Sequence, residues 1–300
     1  MICLYMICPC VNCPGEIVLW HKLCMDEYNP IMFSEKRLKL SLPVRGLGEP
    51  LHFYQTIAST NDRAQALAQE GAAHGTLVVA DEQTAGRGRF QRSWSTPPRS
   101  ALALSLILRP EDSTQVALAR LNMLGALAVV ESLAMLGLEA RIKWPNDVIT
   151  SEGKVAGALT EGIWMGEDLE YAVLGIGVNV SPKSVPDRRE VDYPAACVEE
   201  GFEGKVSRIG LLVDIVGRIG SWLSMLNSEQ LHSAFEDFLA FRGQPVKISG
   251  ADMELTGVLQ GLTLNCRLRI ALAAGEVINL GGEDMRIRPV DMNRDWATLN

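Results

Sequence analysis

Short apolar runs alternate with helical repeats along most of the chain. The runs HFYQTI, TLVVAD and ALALSLIL predict strands at residues 52–57, 76–81 and 101–108. Leucines then recur every three residues from Leu118 to Leu127, which predicts a long helix over roughly 113–136 that Gly137 ends. RIKW, VIT, KVAGALTEGIW and LEYAVLGIGVNV follow with tight turns between them, a pattern typical of an antiparallel meander.

Helical segments and a second β region complete the pattern. The cap residues Ser59 to Asp62 precede the helical run DRAQALAQE, and residues 207–241 return to helix. From Arg242 about 50 residues of short strands and turns predict a small barrel. The sequence therefore predicts an α+β fold, a mixed β-sheet with helices plus a small C-terminal β-barrel. We expect these domain limits: N-terminal extension, partly disordered, 1–47; main domain 48–241; C-terminal barrel 242–292; tail 293–300.

Composition narrows the functional classes. Hydrophobic residues make up 47% of the 300 residues and charged residues 21%, as in globular proteins. No run of about 18 unbroken apolar residues occurs, which argues against a membrane partner. The net charge of −8 argues against a nucleic-acid partner held by global electrostatic attraction, although local basic loops are compatible with it.

The cysteines are concentrated at the start of the chain, with five in the first 24 residues and only Cys197 and Cys266 beyond them. The body of the chain is thus built without a disulfide framework, which indicates a cytoplasmic protein. The early cluster invites a metal or redox interpretation, but no second cysteine pair or histidine cluster completes a four-ligand site. We interpret it as an extension, with Met25 and Met32 as alternative starts.

A loop rich in glycine and arginine, QTAGRGRFQRSW, carries the strongest chemical signal. Gly86 and Gly88 allow positive φ and close backbone approach. Arg87, Arg89 and Arg92 can bind carboxylate or phosphate oxygens with forked hydrogen bonds. The loop is expected to be mobile until an anion orders it. Taken alone, a solvated basic loop or an RNA-binding patch fits equally well.

Three further motifs are ambiguous in isolation. KWPND brings Lys143 and Asp147 together at a turn, which suits phosphate and Mg²⁺, but Pro-Asn-Asp is also a good plain turn. In GKVAGA, Lys154 opens a strand of small residues that leaves room for a ligand, yet an edge lysine is usually just solvated. In GIGVN, Gly175 and Gly177 indicate a bulge, a nearby ligand or close packing.

In their order and spacing, Ser59-Thr60-Asn61, QTAGRGR, KWPND, GKVAGALTE and GIGVN resemble the biotin protein ligases, the biotin–[acetyl-CoA-carboxylase] ligase or holocarboxylase synthetase family. The resemblance covers roughly residues 48–290. It implies a class II synthetase-like catalytic domain and an SH3-like C-terminal barrel. About 47 residues precede it without a helix-turn-helix pattern, which implies the short form without a DNA-binding domain. Gln91 stands where the family loop commonly has glycine, and Ala101 where it often has asparagine.

The resemblance also implies a two-step reaction. Biotin attacks the α-phosphorus of ATP to give biotinyl-5′-AMP, and a lysine of a biotin carboxyl carrier protein domain then takes the biotinyl group. Biotin, ATP and Mg²⁺ are the implied small molecules. No protein-only metal cage is expected, and Mg²⁺ would enter with ATP near Asp147.

Site residues follow from the matching motifs. Those implied for catalysis are Lys154, Arg89 and Asp147, the last as a hypothetical acceptor of the carrier lysine's proton. Those implied for biotin are Ser59, Thr60, Asn61, Gln83, Gly86, Arg87, Gly88, Arg89, Lys154, Gly157, Gly175 and Gly177. Those implied for ATP or the adenylate are Arg87, Arg92, Trp94, Lys143, Asn146, Lys154 and Asn179.

Other functions remain open from the sequence. A lipoate or octanoate ligase or transferase shares the implied fold, although the arginine loop and KWPND favour biotin. A biotin-dependent transcriptional regulator is opposed by the net charge, and a non-catalytic interaction module by the density of charged motifs. A homodimer formed by sheet-edge pairing is left open.

Overall fold

The structure, a computed structural model, describes residues 33–42, 46–109, 114–187, 189, 191, 193–250, 253–281 and 285–290. The early cysteine cluster, the alternative starts Met25 and Met32, and the predicted tail at 293–300 lie outside the described residues.

The main sheet is mixed, as predicted. Its strands are β1 (Leu51–Ile57), β2 (Leu77–Gln83), β3 (Ala101–Leu108), β4 (Arg141–Lys143), β5 (Asp147–Ile149), β6 (Lys154–Met165) and β7 (Asp168–Asn179). Their order across the sheet is β1-β2-β3-β7-β6-β5-β4. Only β1 and β2 pair in parallel; the other pairs are antiparallel, including the predicted meander from β4 to β7. All eight residues of β3 are buried, so the core runs through the middle of the sheet.

Five α-helices lie in the described part of the chain. They are α1 (Glu35–Ser41), α2 (Thr60–Gln69), α3 (Gln115–Met135), α4 (Arg208–Leu223) and α5 (Glu229–Asp237). A serine or threonine hydroxyl accepts from a backbone N–H at the start of each helix from α2 to α5, which satisfies a donor that would otherwise be unpaired. Ser59 therefore has a capping role as well as its predicted binding role.

Helix α3 is mostly apolar and has no distinct polar face, which fits its position in the core. It is long and apolar enough to cross a membrane by length and composition, but 67% of its apolar window is buried inside the molecule. It packs against β6 and α4. A helix without a polar face needs such cover on every side.

The packed unit begins earlier than predicted. Phe33, Leu38 and Leu42 are buried, and α1 packs against β1 and α4. The Arg208 guanidinium of α4 lies 4.3 Å from the centre of the Phe33 ring. Residues 33–42, placed by the sequence prediction in a partly disordered extension, thus form part of the fold. The spacing of Leu38 and Leu42 turns both side chains toward the same face.

The C-terminal β-module is an antiparallel sheet of five strands. They are β8 (Pro245–Ser249), β9 (Glu254–Leu262), β10 (Leu268–Ala271), β11 (Val277–Leu280) and β12 (Arg286–Pro289), in the order β11-β10-β9-β8-β12. The Trp144 indole Nε1–H donates to the Cys266 carbonyl at 3.0 Å, which ties the KWPND turn to this module.

Candidate functional site

A cavity of about 440 Å³ lies over one face of the main sheet. Two sets of cross-strand residue pairs in this sheet lie under the cavity. Gly175 of β7 pairs with Ser105 and Leu159, and Gly177 pairs with Gly157. A β-carbon at Gly175 would overlap the Asn61 amide, and one at Gly177 would overlap the Trp94 ring. Both glycines are therefore needed for these side chains to lie on the sheet.

The cavity brings together nearly all of the predicted site residues. Those lining it are Ser59, Thr60, Asn61, Gln83, Arg87, Gly88, Arg89, Arg92, Trp94, Lys143, Asn146, Asp147, Lys154, Gly157, Gly175, Gly177 and Asn179. Gly86 is not among the lining residues, although a β-carbon there would press on the Trp94 carbonyl.

The arginine loop folds back on itself as a hairpin-like flap, here defined as residues 84–95. Trp94 N donates to Gly86 O at 2.7 Å, and Gly88 N donates to Arg92 O at 2.8 Å. Neither glycine adopts the positive φ that glycine allows, but Gly86 does permit a close backbone approach, because a β-carbon there would lie 2.5 Å from the Trp94 carbonyl oxygen. The left-handed residue is Phe90, at φ 60°.

One end of the cavity, here the amide end, is lined by neutral polar groups. Gln83 Oε1 accepts from Thr60 N at 2.8 Å and from Thr60 Oγ1 at 3.0 Å. Asn61 Oδ1 accepts from Ser105 Oγ at 2.6 Å, and Asn61 Nδ2 donates to Glu161 Oε2 at 2.7 Å. Thr60, Asn61 and Ser105 are buried and Gln83 is partly buried, and their hydrogen bonds already orient them. Their donors and acceptors suit an uncharged ring that carries both N–H and C=O groups.

Next to it lies an arginine cluster of Arg87, Asp62 and Glu161. Arg87 Nη1 is 3.2 Å from Glu161 Oε1, and Arg87 also pairs with Asp62. Burial lowers the pKa of Arg87, but the two carboxylates outweigh burial and raise it. The sequence prediction missed both acids. Glu161 lies inside the quoted motif GKVAGALTE, but no role was assigned to it. Asp62 was named as part of the cap sequence of α2, but its carboxylate was not considered as a partner for an arginine.

The opposite end holds a lysine cluster of Lys143, Asp147 and Lys154. Asp147 Oδ1 is 2.5 Å from Lys154 Nζ, and Asp147 Oδ2 is 3.1 Å from Lys143 Nζ. Burial raises the pKa of Asp147, but the two ammonium groups outweigh it and hold that pKa well below the usual range. Burial lowers the pKa of Lys143, and Asp147 offsets part of that shift. The cluster has one more positive charge than negative charge.

Residues of the flap contact Lys154 and Asn146 and so lie next to the lysine cluster. Arg89 Nη1 donates to Asn146 Oδ1 at 3.4 Å, and the Asn146 amide donates to the Ala158 carbonyl. Lys154 Nζ is 5.2 Å from the centre of the Trp94 ring. In the described part of the chain, the buried Trp94 Nε1 has no hydrogen-bond partner, so this indole can still donate to a ligand.

The C-terminal module supplies a wall of the cavity that the sequence prediction did not include. Met285, Arg286 and Arg288 line it. Arg286 Cζ is 4.9 Å from the centre of the Phe90 ring, and Arg288 Cζ is 5.1 Å from that of Tyr193. The alternation MRIR puts both arginines on one face of a strand, and this was the available signal.

The carboxylate and thiol side chains of the described residues are not grouped as metal ligands. No group of three or more His, Cys, Asp or Glu residues suited to a metal occurs among the residues that the structure describes. Both oxygens of Asp147 contact ammonium groups. Cys197 and Cys266 are free and buried, and burial raises the pKa of each thiol to about 11.

Comparison with known proteins agrees with this geometry. The profile of the Biotin/lipoate A/B protein ligase family matches residues 53–179. The biotin–[acetyl-CoA-carboxylase] ligase of Mycobacterium tuberculosis is 39% identical over 275 residues, covering 85% of this chain and 98% of the relative. The bifunctional ligase/repressor BirA of Bacillus spizizenii is 36% identical over 188 residues, 62% of this chain, and the match spans only 58% of that relative.

A solved structure is similar in fold. The biotin protein ligase from Aquifex aeolicus, in complex with biotin and ATP, matches with a TM-score of 0.69 and 27% identity, covering 80% of this chain and 99% of that one. The predicted fold class is thereby confirmed. By its relatives, its fold and the motifs assembled around one cavity, the chain belongs to the biotin protein ligase family.

Proposed function

We propose that the protein is an ATP-dependent biotin protein ligase. It joins the biotin carboxylate to the α-phosphorus of ATP, which releases pyrophosphate and leaves biotinyl-5′-AMP. The amine of a lysine on a biotin carboxyl carrier protein domain then attacks the acyl carbon, which forms an amide and releases AMP. The relatives named as ligases support this proposal.

One observation carries the proposal: Arg87 of the flap and Lys154 of β6 line the same cavity. The amide end is polar and uncharged, as the ureido ring of biotin requires. The lysine cluster, with its excess positive charge, lies at the other end, where two anions must meet. A cavity with this division can hold biotin by its ring and its carboxylate at once.

The first step brings a carboxylate against a phosphate, so positive charge must be in place beforehand. Lys154 and Lys143 supply it from the sheet, with Arg89 and Arg92 above them on the flap. One preorganised charged group of this kind typically contributes about 3–4 kcal/mol to transition-state stabilisation. Mg²⁺, carried on the ATP phosphates, would neutralise part of the phosphate charge, and the lysine-bound Asp147 is poorly suited to hold it alone.

The second step needs a neutral amine, and Asp147 is a weak candidate for the base. Its pKa is held far below the usual range, and both of its oxygens are engaged by lysines. A carboxylate with so low a pKa has little tendency to take a proton from an ammonium group. We therefore assign Asp147 a positioning role, in which it holds Lys143 and Lys154 at the cavity.

The flap protects the intermediate. An acyl-adenylate hydrolyses readily, and a closed loop excludes water until the carrier docks. The flap lies over the cavity through the Arg87 ion pairs and the Arg89 contact with Asn146. The Trp94 ring lies directly against Gly177, and its unpartnered N–H is available to the adenylate.

A lipoate or octanoate ligase is the second candidate, because the matched family includes such enzymes by name. A linear acyl chain has no ureido group for the hydrogen-bonded set at Thr60, Asn61 and Gln83. That set favours biotin. We further propose a cytoplasmic protein whose partner is the carrier domain of a carboxylase, with no nucleic-acid partner. A homodimer formed by sheet-edge pairing would have to use an edge other than β4, because Ile142 of β4 is already hydrogen-bonded to Phe238 and Ala240.

The deciding experiment combines the protein with biotin, MgATP and an apo carrier domain, followed by mass measurement of the carrier. The mass increment of one biotinyl group is expected only when all components are present. A carrier whose acceptor lysine is replaced by arginine is the control. Lipoate in place of biotin is the competing substrate, and a lipoyl increment without a biotinyl one would overturn the proposal.

A further inference from the structure

We propose that Glu161 is a positioning residue that links the biotin-binding amide of Asn61 to the flap through Arg87. This inference rests on the proposed function. Glu161 itself is not among the lining residues of the cavity, so it would act through two residues that are.

The sheet places Glu161 between these two partners. Along β6, Gly157, Leu159 and Glu161 alternate onto the same face, the face that carries the cavity. Glu161 pairs with Val173, one row beyond the pair of Leu159 and Gly175. Val173 packs with Ala64 of α2 in an apolar cluster. The carboxylate thus lies where the polar floor of the cavity meets the apolar packing under α2.

The first partner is Asn61, whose amide has little freedom. The side chain lies on Gly175, where no β-carbon would fit. Asn61 Oδ1 accepts from Ser105 at 2.6 Å, and Asn61 Nδ2 donates to Glu161 at 2.7 Å. The carboxylate can only accept, so it fixes which end of the amide is nitrogen. One amide hydrogen remains for a ligand carbonyl.

The second partner is Arg87 of the flap. Arg87 Nη1 is 3.2 Å from Glu161 Oε1, and Arg87 Nη2 is 3.4 Å from Glu161 Oε2. The same Oε2 accepts a hydrogen bond from Asn61, so one carboxylate oxygen contacts both the Asn61 amide at the sheet and the Arg87 guanidinium of the flap. Asp62 also contacts Arg87, but its side chain is 53% exposed. The mostly buried Glu161, at 25% exposure, is the firmer anchor.

A shared carboxylate makes the two contacts interdependent. If Glu161 loses its charge, the Asn61 amide can turn over and Arg87 loses its principal partner on the sheet. Weaker biotin binding and a looser flap are then expected together. A residue that merely supported the fold would lower stability without producing this pair of effects.

The test compares Glu161→Gln with the wild type in two measurements. Calorimetry gives biotin affinity without ATP or carrier, and release of preformed biotinyl-AMP reports on the flap. We expect about tenfold weaker biotin binding and about tenfold faster adenylate release, the scale of one charge-assisted hydrogen bond. The KM for ATP should change less than the KM for biotin.

Control variants separate the contributions. Glu170→Gln, an exposed acid on neighbouring β7, should behave as the wild type in both measurements. The Asp62 carboxylate pairs with Arg87, whereas the Asn61 amide donates to Glu161. Asp62→Asn should therefore speed adenylate release and leave biotin affinity within about twofold of the wild type. If Glu161→Gln does not fold, Glu161→Asp keeps the charge with a shorter reach and should show both effects in weaker form.

Each outcome bears on the inference. A wild-type protein that binds no biotin and makes no adenylate defeats the proposed function itself. An active wild type with an unchanged Glu161→Gln variant overturns the positioning role alone. If Glu161→Gln binds biotin weakly but retains the adenylate normally, the link to the flap is refuted.

Discussion

The two charged clusters in the cavity are opposites in composition. In the lysine cluster two cations share one carboxylate, whereas in the arginine cluster one cation shares two carboxylates. An incoming anion completes the first and is repelled by the second. Under the proposed function, this difference favours the lysine cluster as the place that receives the reacting carboxylate and phosphate, and it favours Arg87 as a residue that mainly holds the flap. The prediction that Arg87 also binds ATP remains a prediction, and this charge balance weighs against it.

The clusters also differ in burial. Lys143 is 7% exposed and Asp147 17%, against 32% for Arg87 and 53% for Asp62, whereas Lys154 and Glu161 are alike at 27% and 25%. Charges interact more strongly where water is excluded. The lysine cluster is therefore suited to chemistry, and the more exposed arginine cluster to opening and closing.

The largest effect is expected from Lys154→Ala. Removing a cation at the reacting atoms should slow adenylate formation by about 10²–10³-fold. ATP–pyrophosphate exchange in the presence of biotin measures this step. Lys247→Ala, an exposed lysine of the C-terminal module, is the control and should retain full activity. A Lys154→Ala variant within tenfold of wild type would contradict the assignment of this end to catalysis.

Asp147→Asn tests positioning against general-base catalysis. Loss of the charge that holds both lysines should slow adenylate formation by about 10–100-fold, the scale of a charged hydrogen bond. Amide formation from preformed biotinyl-AMP separates the two roles. A base would be needed only there, so a variant that makes adenylate normally but transfers it poorly would restore Asp147 as the base.

Arg89→Gly tests the flap at a residue that belongs to neither cluster as defined above. Its bond to Asn146 is long, at 3.4 Å, so its loss should speed adenylate release by about fivefold. The readout is biotin attached to lysines of an added bystander protein such as albumin. Retention of the adenylate at the wild-type level would show that other contacts close the flap.

The smallest effect concerns acid stability. Because the folded pKa of Asp147 lies below the value of about 3.9 for an unfolded aspartate, the unfolded state binds more protons between the two values, and stability rises with pH there. The contribution is present above about pH 4 and is lost as the pH falls through the folded pKa. Urea unfolding of wild type and Asp147→Asn should therefore differ by a constant amount from pH 7 to 5, with the gap closing below pH 4.

The elements predicted well from the sequence are those with a clear hydrophobic pattern or a clear helix N-cap residue. The strand β3 occupies the predicted residues 101–108, and α2 follows its cap at Ser59. The motif residues were also expected to share one site, because the resemblance to the biotin protein ligases implies it, and they line one cavity.

What escaped prediction depends on long-range contacts. Glu161 and Arg87 are 74 positions apart, and nothing local indicates that they pair. Arg286 lies in another module, and its approach to Phe90 follows from how the modules pack. The packing of Phe33 under Arg208 was missed for the same reason, since the burial of α1 requires a partner helix far along the chain.

The wall formed by Met285, Arg286 and Arg288 has a consequence for protein engineering. Because β12 borders the cavity and the Trp144 indole donates a hydrogen bond to the β9–β10 turn, a chimera with the C-terminal module of a relative would have part of its cavity wall replaced. A change made to that module therefore alters residues that line the cavity as well as residues at the surface of the molecule.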